Sequence, residues 1–364
     1  MKKALLVLVI IALFITSCAT PKNLVPANTS SPYTGTATIV TPTPTFTIAL
    51  TTPILTATPT PHPMSIVALR AGNYPGSEII IVKELKKGSN YRRYYAYYLS
   101  EGLKIYALLT IPEGNAPEGG WPAIVFNHGY IPPDVYRTTE RYIAYVDEIA
   151  KSGYVVFRID YRGNDASEGV ATGAYGDPGY EIDVLNAIAS IKQLPEVNPE
   201  KIGMWGHSMG GYLTLRAMVI SKDIKAGVIW AGVVASYPDL LYNWRRIGSF
   251  TPSPSSQGVG WRTQWIKEFG APEDNPVFWD SVSATSYLAD LSGPLQLHHG
   301  TMDEDVPLEF SIRLAEQARK EGKIADLYTY EGDNHNISIN FSTAMQRTIA
   351  FFDLYLKQGS IKQR

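Results

Sequence analysis

The fold is decided by residues 201–213, which read KIGMWGHSMGGYL. Residues 201–205 form an apolar run typical of a buried strand, and residues 209–220 have the pattern of a helix. Between them lies a Gly-x-Ser-x-Gly sequence centred on Ser208. A serine on a tight turn from strand to helix needs small neighbours two positions away on each side, because the turn is crowded. The position therefore predicts that Ser208 is a catalytic nucleophile.

A reacting serine also needs hydrogen-bond donors for the negative charge that develops on the substrate oxygen. The backbone N–H of Met209, the first residue of the predicted helix, provides one by construction. We expect the second from the loop that follows the buried strand 123–127, at the backbone N–H of Tyr130. His128 in the same loop is expected to pack beneath it.

Serine is unreactive without a base, and with this kind of turn the acid and the histidine follow it along the chain. His335 lies in the loop after the last predicted strand and is the expected base. Asp303 lies at the carboxyl end of the preceding strand and is the expected acid. Asp305 is the rival acid, although it could instead cap the next helix. Local turn chemistry explains Asp333.

Two further histidines, His298 and His299, end a predicted strand, which favours a structural role for both. Because they are adjacent on a strand, their side chains should point to opposite faces. No pair of histidines has zinc-ligand spacing with a third ligand nearby, so we expect neither a metal nor a cofactor.

The rest of the folded part alternates strands with helices, which predicts an α/β fold with a mostly parallel, twisted sheet and helices on both faces. Residues 236–290 interrupt this alternation with ten aromatic residues. They form an insertion between two strands of the kind that makes a lid. Most of its rings should pack against one another, and one or two should face the substrate. Strands are predicted at 79–85, 91–99, 104–111, 123–127, 154–160, 201–205, 226–231, 294–298 and 326–330, and helices at 138–151, 181–194, 209–220, 308–321 and 342–357.

The first 17 residues resemble a bacterial lipoprotein signal peptide. A basic head precedes an apolar run of twelve residues, 4–15, and Cys18 follows in a lipobox-like sequence. That run is too short to span a bilayer. We expect Cys18, the single cysteine, to be lipidated, which would anchor the protein in the bacterial cell envelope outside the cytoplasm. The alternative is an ordinary secretory signal in which Cys18 is incidental.

Residues 18–63 form a predicted linker. Between positions 19 and 63 there are 14 threonines and 9 prolines, and Lys22 is the single charged residue. This composition favours an extended, polyproline-like stalk. The catalytic domain is predicted to occupy residues 64–364.

Composition excludes several classes of protein. Of the 364 residues, 45% are hydrophobic and 18% charged, which is enough apolar content for a large core and excludes general disorder. The net charge of −2 gives no electrostatic basis for binding nucleic acid.

Taken together, these motifs resemble the prolyl oligopeptidase family of α/β-hydrolases over roughly residues 105–357. The resemblance implies a catalytic triad of Ser208, Asp303 and His335. It also includes Arg162, which would otherwise brace a loop by pairing with Asp165 or Glu168. The matching segments are NHG at 127–129, DYRG at 160–163, GHSMGG at 206–211, HGTMDEDVP at 299–307, and His335.

Two departures from the family bear on the substrate. Peptidases of the family usually carry a β-propeller ahead of the catalytic domain, and only about forty residues separate Met64 from the first hydrolase strands. Prolyl-specific members use a tyrosine side chain in the loop where this chain has His128. We therefore expect a serine peptidase or acyl-aminoacyl hydrolase. A carboxylesterase acting on small or surface-bound esters is the alternative, and a non-catalytic, lipid-anchored binding protein is a remote one.

Overall fold

The computed structural model describes residues 60–244 and 260–358. The predicted signal peptide, Cys18 and all but the last residues of the predicted linker lie outside the described residues. In the part that is described, no helix combines the length and the apolar character needed to cross a membrane.

Nine strands form one sheet in the order β1-β2-β3-β5-β4-β6-β7-β8-β9. Strands β1, β2, β3 and β5 pair antiparallel at one end, and every other pairing is parallel. The central strands are buried on both faces, as their continuous apolar sequences require. The mostly parallel sheet is therefore confirmed. In chain order, the strands are β1 Ile80–Leu85, β2 Tyr91–Ser100, β3 Leu103–Pro112, β4 Trp121–Asn127, β5 Val155–Ile159, β6 Val197–His207, β7 Ile224–Trp230, β8 Leu295–Gly300 and β9 Ala325–Tyr330.

Helices cover both faces of the sheet, which the sequence also predicted. Apolar side chains of α2 and α9 pack on one face, and those of α3, α4 and α8 pack on the other. The helices are α1 Ile66–Ala71, α2 Ile143–Lys151, α3 Gly179–Ile191, α4 Met209–Ile220, α5 Tyr237–Tyr242, α6 Trp261–Phe269, α7 Pro276–Val282, α8 Leu308–Lys320 and α9 Phe341–Phe352, with a 3₁₀ helix at Ala284–Asp290 and a π-helical turn at Asp353–Lys357.

The helix predicted to begin at position 138 begins at Ile143 instead. The buried guanidinium of Arg158 explains the difference, because it donates to the backbone carbonyls of Thr138, Glu140 and Arg141. In the segment that it holds, Arg141 and Tyr142 have φ values of +51° and +48°, a left-handed backbone conformation that an α-helix cannot contain. The short helix α1 was not predicted.

The insertion between β7 and β8 contains α5, α6, α7 and the 3₁₀ helix, and residues 245–259 lie outside the described part. Most of the described rings pack against one another. Trp265 and Trp279 are buried, and the rings of Phe269 and Phe278 stack with centroids 3.9 Å apart. Trp244 differs from these rings, since it lines a cavity beside the strand-to-helix turn at Ser208.

Candidate active site

Ser208 lies at the junction of β6 and α4, at the parallel strands' carboxyl ends, with φ +55° and ψ −117°. A non-glycine residue at positive φ is strained by about 1–2 kcal/mol. Backbone hydrogen bonds hold it there. Its N–H donates to Trp230 at 3.0 Å, and its carbonyl oxygen accepts from Gly211 at 2.9 Å and from Val233 at 3.1 Å. The side chain therefore projects from a turn that its neighbours enforce.

The two glycines of the motif are required because the backbone passes close to them. A Cβ added at Gly206 would run into the backbone carbonyl of Gly210. A Cβ at Gly210 would run into the carbonyl oxygen of Asn127, in the loop expected to supply an oxyanion donor. The turn is therefore as crowded as predicted, because the atoms that surround the two glycines belong to the backbone and cannot move aside.

Asp303 and His335, 32 positions apart in sequence, meet beside this turn. The Nδ1 atom of His335 donates to Oδ2 of Asp303 at 2.8 Å, and the carboxylate is 1% exposed. This contact fixes the tautomer that leaves Nε2 available to a nucleophile. Among the described residues, Ser208 and His335 are not joined by a hydrogen bond, and in serine hydrolases such contacts often tighten only when substrate is bound.

Asp303 is held from several sides. Its Oδ1 accepts the backbone N–H groups of Asp305 at 2.8 Å and Val306 at 2.9 Å, and its Oδ2 lies 3.0 Å from Nε2 of His299. Burial alone would raise the pKa of Asp303. The hydrogen bonds from His299 and His335 outweigh it and hold this pKa well below its usual range. These contacts therefore favour the ionised form of the carboxylate.

The two alternative acids have local roles. Asp305 donates its backbone N–H to Asp303 and is exposed. Asp333 accepts backbone N–H groups of Ile339 at 3.0 Å and Asn340 at 2.9 Å, so it closes the turn after His335. Among the described residues, neither of these two carboxylates is hydrogen-bonded to the imidazole of His335.

His299 is a site residue that the sequence reasoning missed. Its Nε2 contacts both Asp303 and the carbonyl of Val306, and its Nδ1 lies 2.8 Å from the hydroxyl of Ser311. His298 points to the other face, where it bonds the hydroxyl of Tyr330 at 2.7 Å. The opposite orientation of the two was predicted. The available signal was the family-like segment HGTMDEDVP at 299–307, which contains both His299 and Asp303.

The loop 128–130 lies against the nucleophile. A Cβ on Gly129 would be 3.2 Å from Cβ of Ser208. The hydroxyl of Tyr161 donates to the carbonyl of His128 at 3.0 Å, and the His128 ring stacks on that of Tyr136 at 4.4 Å. His128 thus packs beneath the loop, as expected, and does not offer a side-chain donor. Tyr130 and Met209 line the same cavity.

A chain of hydrogen bonds connects this loop to the loop of His335 through His207, a second residue that the sequence reasoning missed. The Gly129 N–H donates to the Tyr142 hydroxyl at 2.9 Å, and that hydroxyl lies 2.7 Å from Nδ1 of His207. Nε2 of His207 lies 3.0 Å from the carbonyl oxygen of His335. Burial and the nearby His335 lower the pKa of His207 to about 3, so its imidazole is neutral.

The cavity beside Ser208 has a volume of about 390 Å³. The described residues that line it are Tyr130, Gly173, Ala174, Tyr175, Met209, Trp244 and Arg262. The insertion therefore contributes to the pocket through Trp244 and Arg262, one aromatic residue and one cation.

Arg162 is not among the residues that surround Ser208, Asp303 and His335. The expectation that it pairs with Asp165 or Glu168 was wrong. Its guanidinium instead binds Asp183 at 2.8 Å and Glu101 at 3.0 Å, which joins α3 to the β2–β3 turn. Asp183 is fully buried and accepts both the side chain and the backbone N–H of Arg162, so it is the better-organised acceptor.

Within the described ranges, no group of three or more His, Cys, Asp or Glu side chains is arranged to hold a metal ion.

Residues 141–359, more than half of the chain, match the sequence profile of the prolyl oligopeptidase family. Two relatives from Bacillus subtilis (strain 168) are each 27% identical. The uncharacterized peptidase YtmA is matched over 67% of this chain and 86% of its own length, and the uncharacterized peptidase YuxL over 66% and 35%.

Solved structures with the same fold include the acylaminoacyl peptidase of Pyrococcus horikoshii, at a TM-score of 0.57 and 26% identity over 74% of this chain and 43% of that one. The acetyl xylan esterase from Paenibacillus sp. R4 also has a TM-score of 0.57, at 16% identity over 78% of this chain and 91% of that one. The fold is thus the expected α/β-hydrolase fold. This chain spans less than half of the archaeal peptidase and of YuxL. It belongs to the prolyl oligopeptidase family.

Proposed function

We propose that the protein hydrolyses acyl compounds through an acyl-enzyme on Ser208, with His335 as general base and acid and Asp303 as its orienting partner. One observation carries the proposal. The buried Asp303 carboxylate accepts a 2.8 Å hydrogen bond from His335 beside a serine held at positive φ on a strand-to-helix turn. A strained serine and a buried carboxylate both cost folding stability, and together with the histidine they form the arrangement that nucleophilic catalysis requires.

In the first half-reaction, Ser208 Oγ attacks the substrate carbonyl carbon and its proton passes to Nε2 of His335. The N–H groups of Met209 and Tyr130 donate to the oxyanion of the tetrahedral intermediate. As the intermediate collapses, the bond to the leaving group breaks and the imidazolium returns the proton to it. The ionised Asp303 stabilises the imidazolium throughout.

In the second half-reaction, water attacks the acyl-enzyme and His335 takes its proton. Collapse breaks the bond to Ser208 Oγ, returns the proton to that oxygen and releases the carboxylic acid. Each turnover therefore consumes one water molecule, regenerates the serine and needs no redox partner.

We further propose that the bond cleaved is an amide, in a peptide or an acyl-aminoacyl compound. The family match and the relatives named as peptidases support this. A carboxylesterase is the second candidate. The placement of His128 favours it over a post-proline peptidase, since that buried ring gives the oxyanion no side-chain donor.

A rate comparison on the purified full-length chain tests both. The substrates are a short-chain p-nitrophenyl ester and a set of aminoacyl and N-acyl-aminoacyl anilides, with Ser208→Ala as control. Anilide cleavage that is lost in Ser208→Ala supports the peptidase, because an amine leaving group needs protonation. Ester turnover alone assigns a carboxylesterase. Equal rates in the wild type and Ser208→Ala overturn the acyl-enzyme.

We also propose that Cys18 carries a lipid that anchors the protein in the bacterial envelope. The support is the lipobox-like sequence and the Thr- and Pro-rich stretch that follows. Incorporation of radiolabelled palmitate in a bacterial host that is lost in Cys18→Ser is the expected result. Equal incorporation in both, or none in the wild type, contradicts the anchor.

A further inference from the structure

The position of the cavity beside Ser208 indicates which part of the substrate it receives. It is lined by Met209 and Tyr130, the two residues whose N–H groups face the carbonyl oxygen in the proposed mechanism. The described lining includes no residue of the His335 loop. Because the leaving group takes its proton from His335, it departs towards that loop. The group that stays attached to Ser208 is therefore the one that this cavity receives.

Arg262 gives the cavity a fixed positive charge. Its Nε and Nη2 atoms donate to the carbonyl oxygen of Leu240 at 3.2 and 3.1 Å. The guanidinium lies over two indole rings, 5.4 Å from the centroid of Trp244 and 4.8 Å from that of Trp261. These contacts orient the cation, and an arginine that is already ordered loses less entropy when it binds an anion.

The wall that carries this charge is tied to the catalytic machinery. Nε1 of Trp244 donates to the carbonyl oxygen of Asp305 at 2.9 Å, two residues after Asp303. Arg262 is therefore connected, through the Trp244 ring on which it stacks, to the loop that contains Asp303. A ligand group bound by Arg262 is therefore held at a fixed position relative to the catalytic residues and to the reacting carbonyl.

Arg262 is the one charged residue among the described residues that line the cavity. None of the described lining residues carries a carboxylate. A cation beside aromatic walls attracts a carboxylate and repels an ammonium group. The free α-amino group of an unblocked peptide is thus the wrong charge for this pocket.

We propose that the cavity selects acyl groups that combine an apolar or aromatic body with a carboxylate, and that Arg262 is the residue that determines this specificity. The proposal rests on the acyl-enzyme at Ser208 and adds the substrate class. Acyl groups of the same shape that carry an amide are accepted less well, and those that carry an ammonium group least well.

Three p-nitrophenyl esters of one shape test the proposal. Their acyl group is 3-phenylpropanoyl with a carboxylate, a carboxamide or an aminomethyl group at the para position, where it cannot attack its own ester. The readout is kcat/KM for each ester, corrected for spontaneous hydrolysis, at low ionic strength and at 0.5 M NaCl. For the wild type we expect a preference for the carboxylate over the carboxamide of about tenfold at low salt, reduced at high salt.

Arg262→Gln should lower this ratio to about one, and Arg262→Lys should retain part of the preference because it keeps the charge. Arg313→Gln is the matched control. It removes an exposed arginine of α8 that pairs with Asp239, and it should leave the ratio unchanged. A wild-type ratio of one, a ratio that Arg262→Gln does not change, or an equal loss for all three esters in Arg262→Gln overturns the proposal.

Failure of the proposed function is recognisable separately. If the neutral carboxamide ester is not hydrolysed by the wild type, or is hydrolysed equally by Ser208→Ala, the acyl-enzyme itself is wrong and the specificity proposal falls with it. If that ester is hydrolysed through Ser208 without charge selection, the acyl-enzyme stands and the role of Arg262 is wrong. Labelling of Arg262→Gln with a fluorophosphonate verifies that the variant retains its active serine.

Discussion

His207 donates a hydrogen bond from Nε2 to the backbone carbonyl oxygen of His335 at 3.0 Å. A carbonyl can only accept, so Nε2 carries the proton and Nδ1 must accept from the Tyr142 hydroxyl. The residue before the nucleophile thereby joins the oxyanion loop, through Tyr142, to the loop of the general base. The imidazole can do this because it is neutral and held in one tautomer.

Tyr142→Phe should lower kcat about tenfold, the effect of losing one well-placed hydrogen bond that orients the oxyanion loop. KM should change little, whereas the midpoint of thermal unfolding should fall, because the Gly129 N–H and Nδ1 of His207 lose their buried partner. Steady-state kinetics on the p-nitrophenyl ester check this. Tyr154→Phe is the control, since its hydroxyl binds Asp353 away from the site. Full activity in Tyr142→Phe, or an equal loss in both variants, would show that the link does not position the oxyanion loop.

His299→Gln should reduce kcat by about tenfold or more, because Asp303 then lacks its second imidazole partner and orients His335 less well. His298→Gln is a matched comparison, being the adjacent, equally buried histidine on the opposite face of β8. It can cost a similar amount of stability but should not lower kcat in the folded enzyme. Similar kcat values for the two variants would contradict the role of His299.

Gly210→Ala should destabilise the fold by at least about 2 kcal/mol, because the new Cβ meets backbone that cannot move aside. Gly260→Ala provides the comparison, since a Cβ there meets no described atom within 4 Å. Urea unfolding of both variants measures the difference. A Gly210→Ala protein as stable as Gly260→Ala would mean that the turn is not crowded as described.

The stability contributed by Asp160 should depend on pH. Burial raises the pKa of this carboxyl to about 7, although the hydroxyls of Thr138 and Tyr136 and the Arg158 guanidinium act in the opposite direction and Asp165 raises it further. An acid whose pKa is raised on folding contributes stability at low pH and loses it as pH rises through the folded value. The window is therefore about pH 4 to 7.

The free energy of unfolding of the wild type, relative to Asp160→Asn, should fall across that window by at most about 1.4 kcal/mol per pH unit. Urea unfolding at several pH values gives the two curves. Asp134→Asn, which removes an exposed carboxylate, should leave the slope as it is in the wild type. Parallel curves for the wild type and Asp160→Asn would show that Asp160 ionises normally.

Sequence reasoning reached those parts of the site that local chemistry dictates. The glycines around Ser208 are demanded within six residues of chain, and the bounds predicted for the helix after it match α4. Asp303 and His335 followed from chain order and from their positions after strands. In each case, the requirement was contained in one motif or one loop.

Contacts between distant segments were not predictable in the same way. His207 meets Tyr142 across 65 positions and His335 across 128, and no pattern along the chain marks such pairs. Arg158 likewise ends the helical pattern before Ile143 by binding carbonyls 17 to 20 residues away. These side chains act through tertiary contacts, so their effects become visible only when the sheet is assembled.

Mass spectrometry after reaction with a fluorophosphonate tests the central claim, that Ser208 is activated by His335, most directly. A phosphonate adduct is stable, so the modified peptide can be identified. The account predicts one adduct per chain on the peptide that contains Ser208, absent in Ser208→Ala and strongly reduced in His335→Ala. An adduct on another residue, or labelling of His335→Ala at the rate of the wild type, would contradict it.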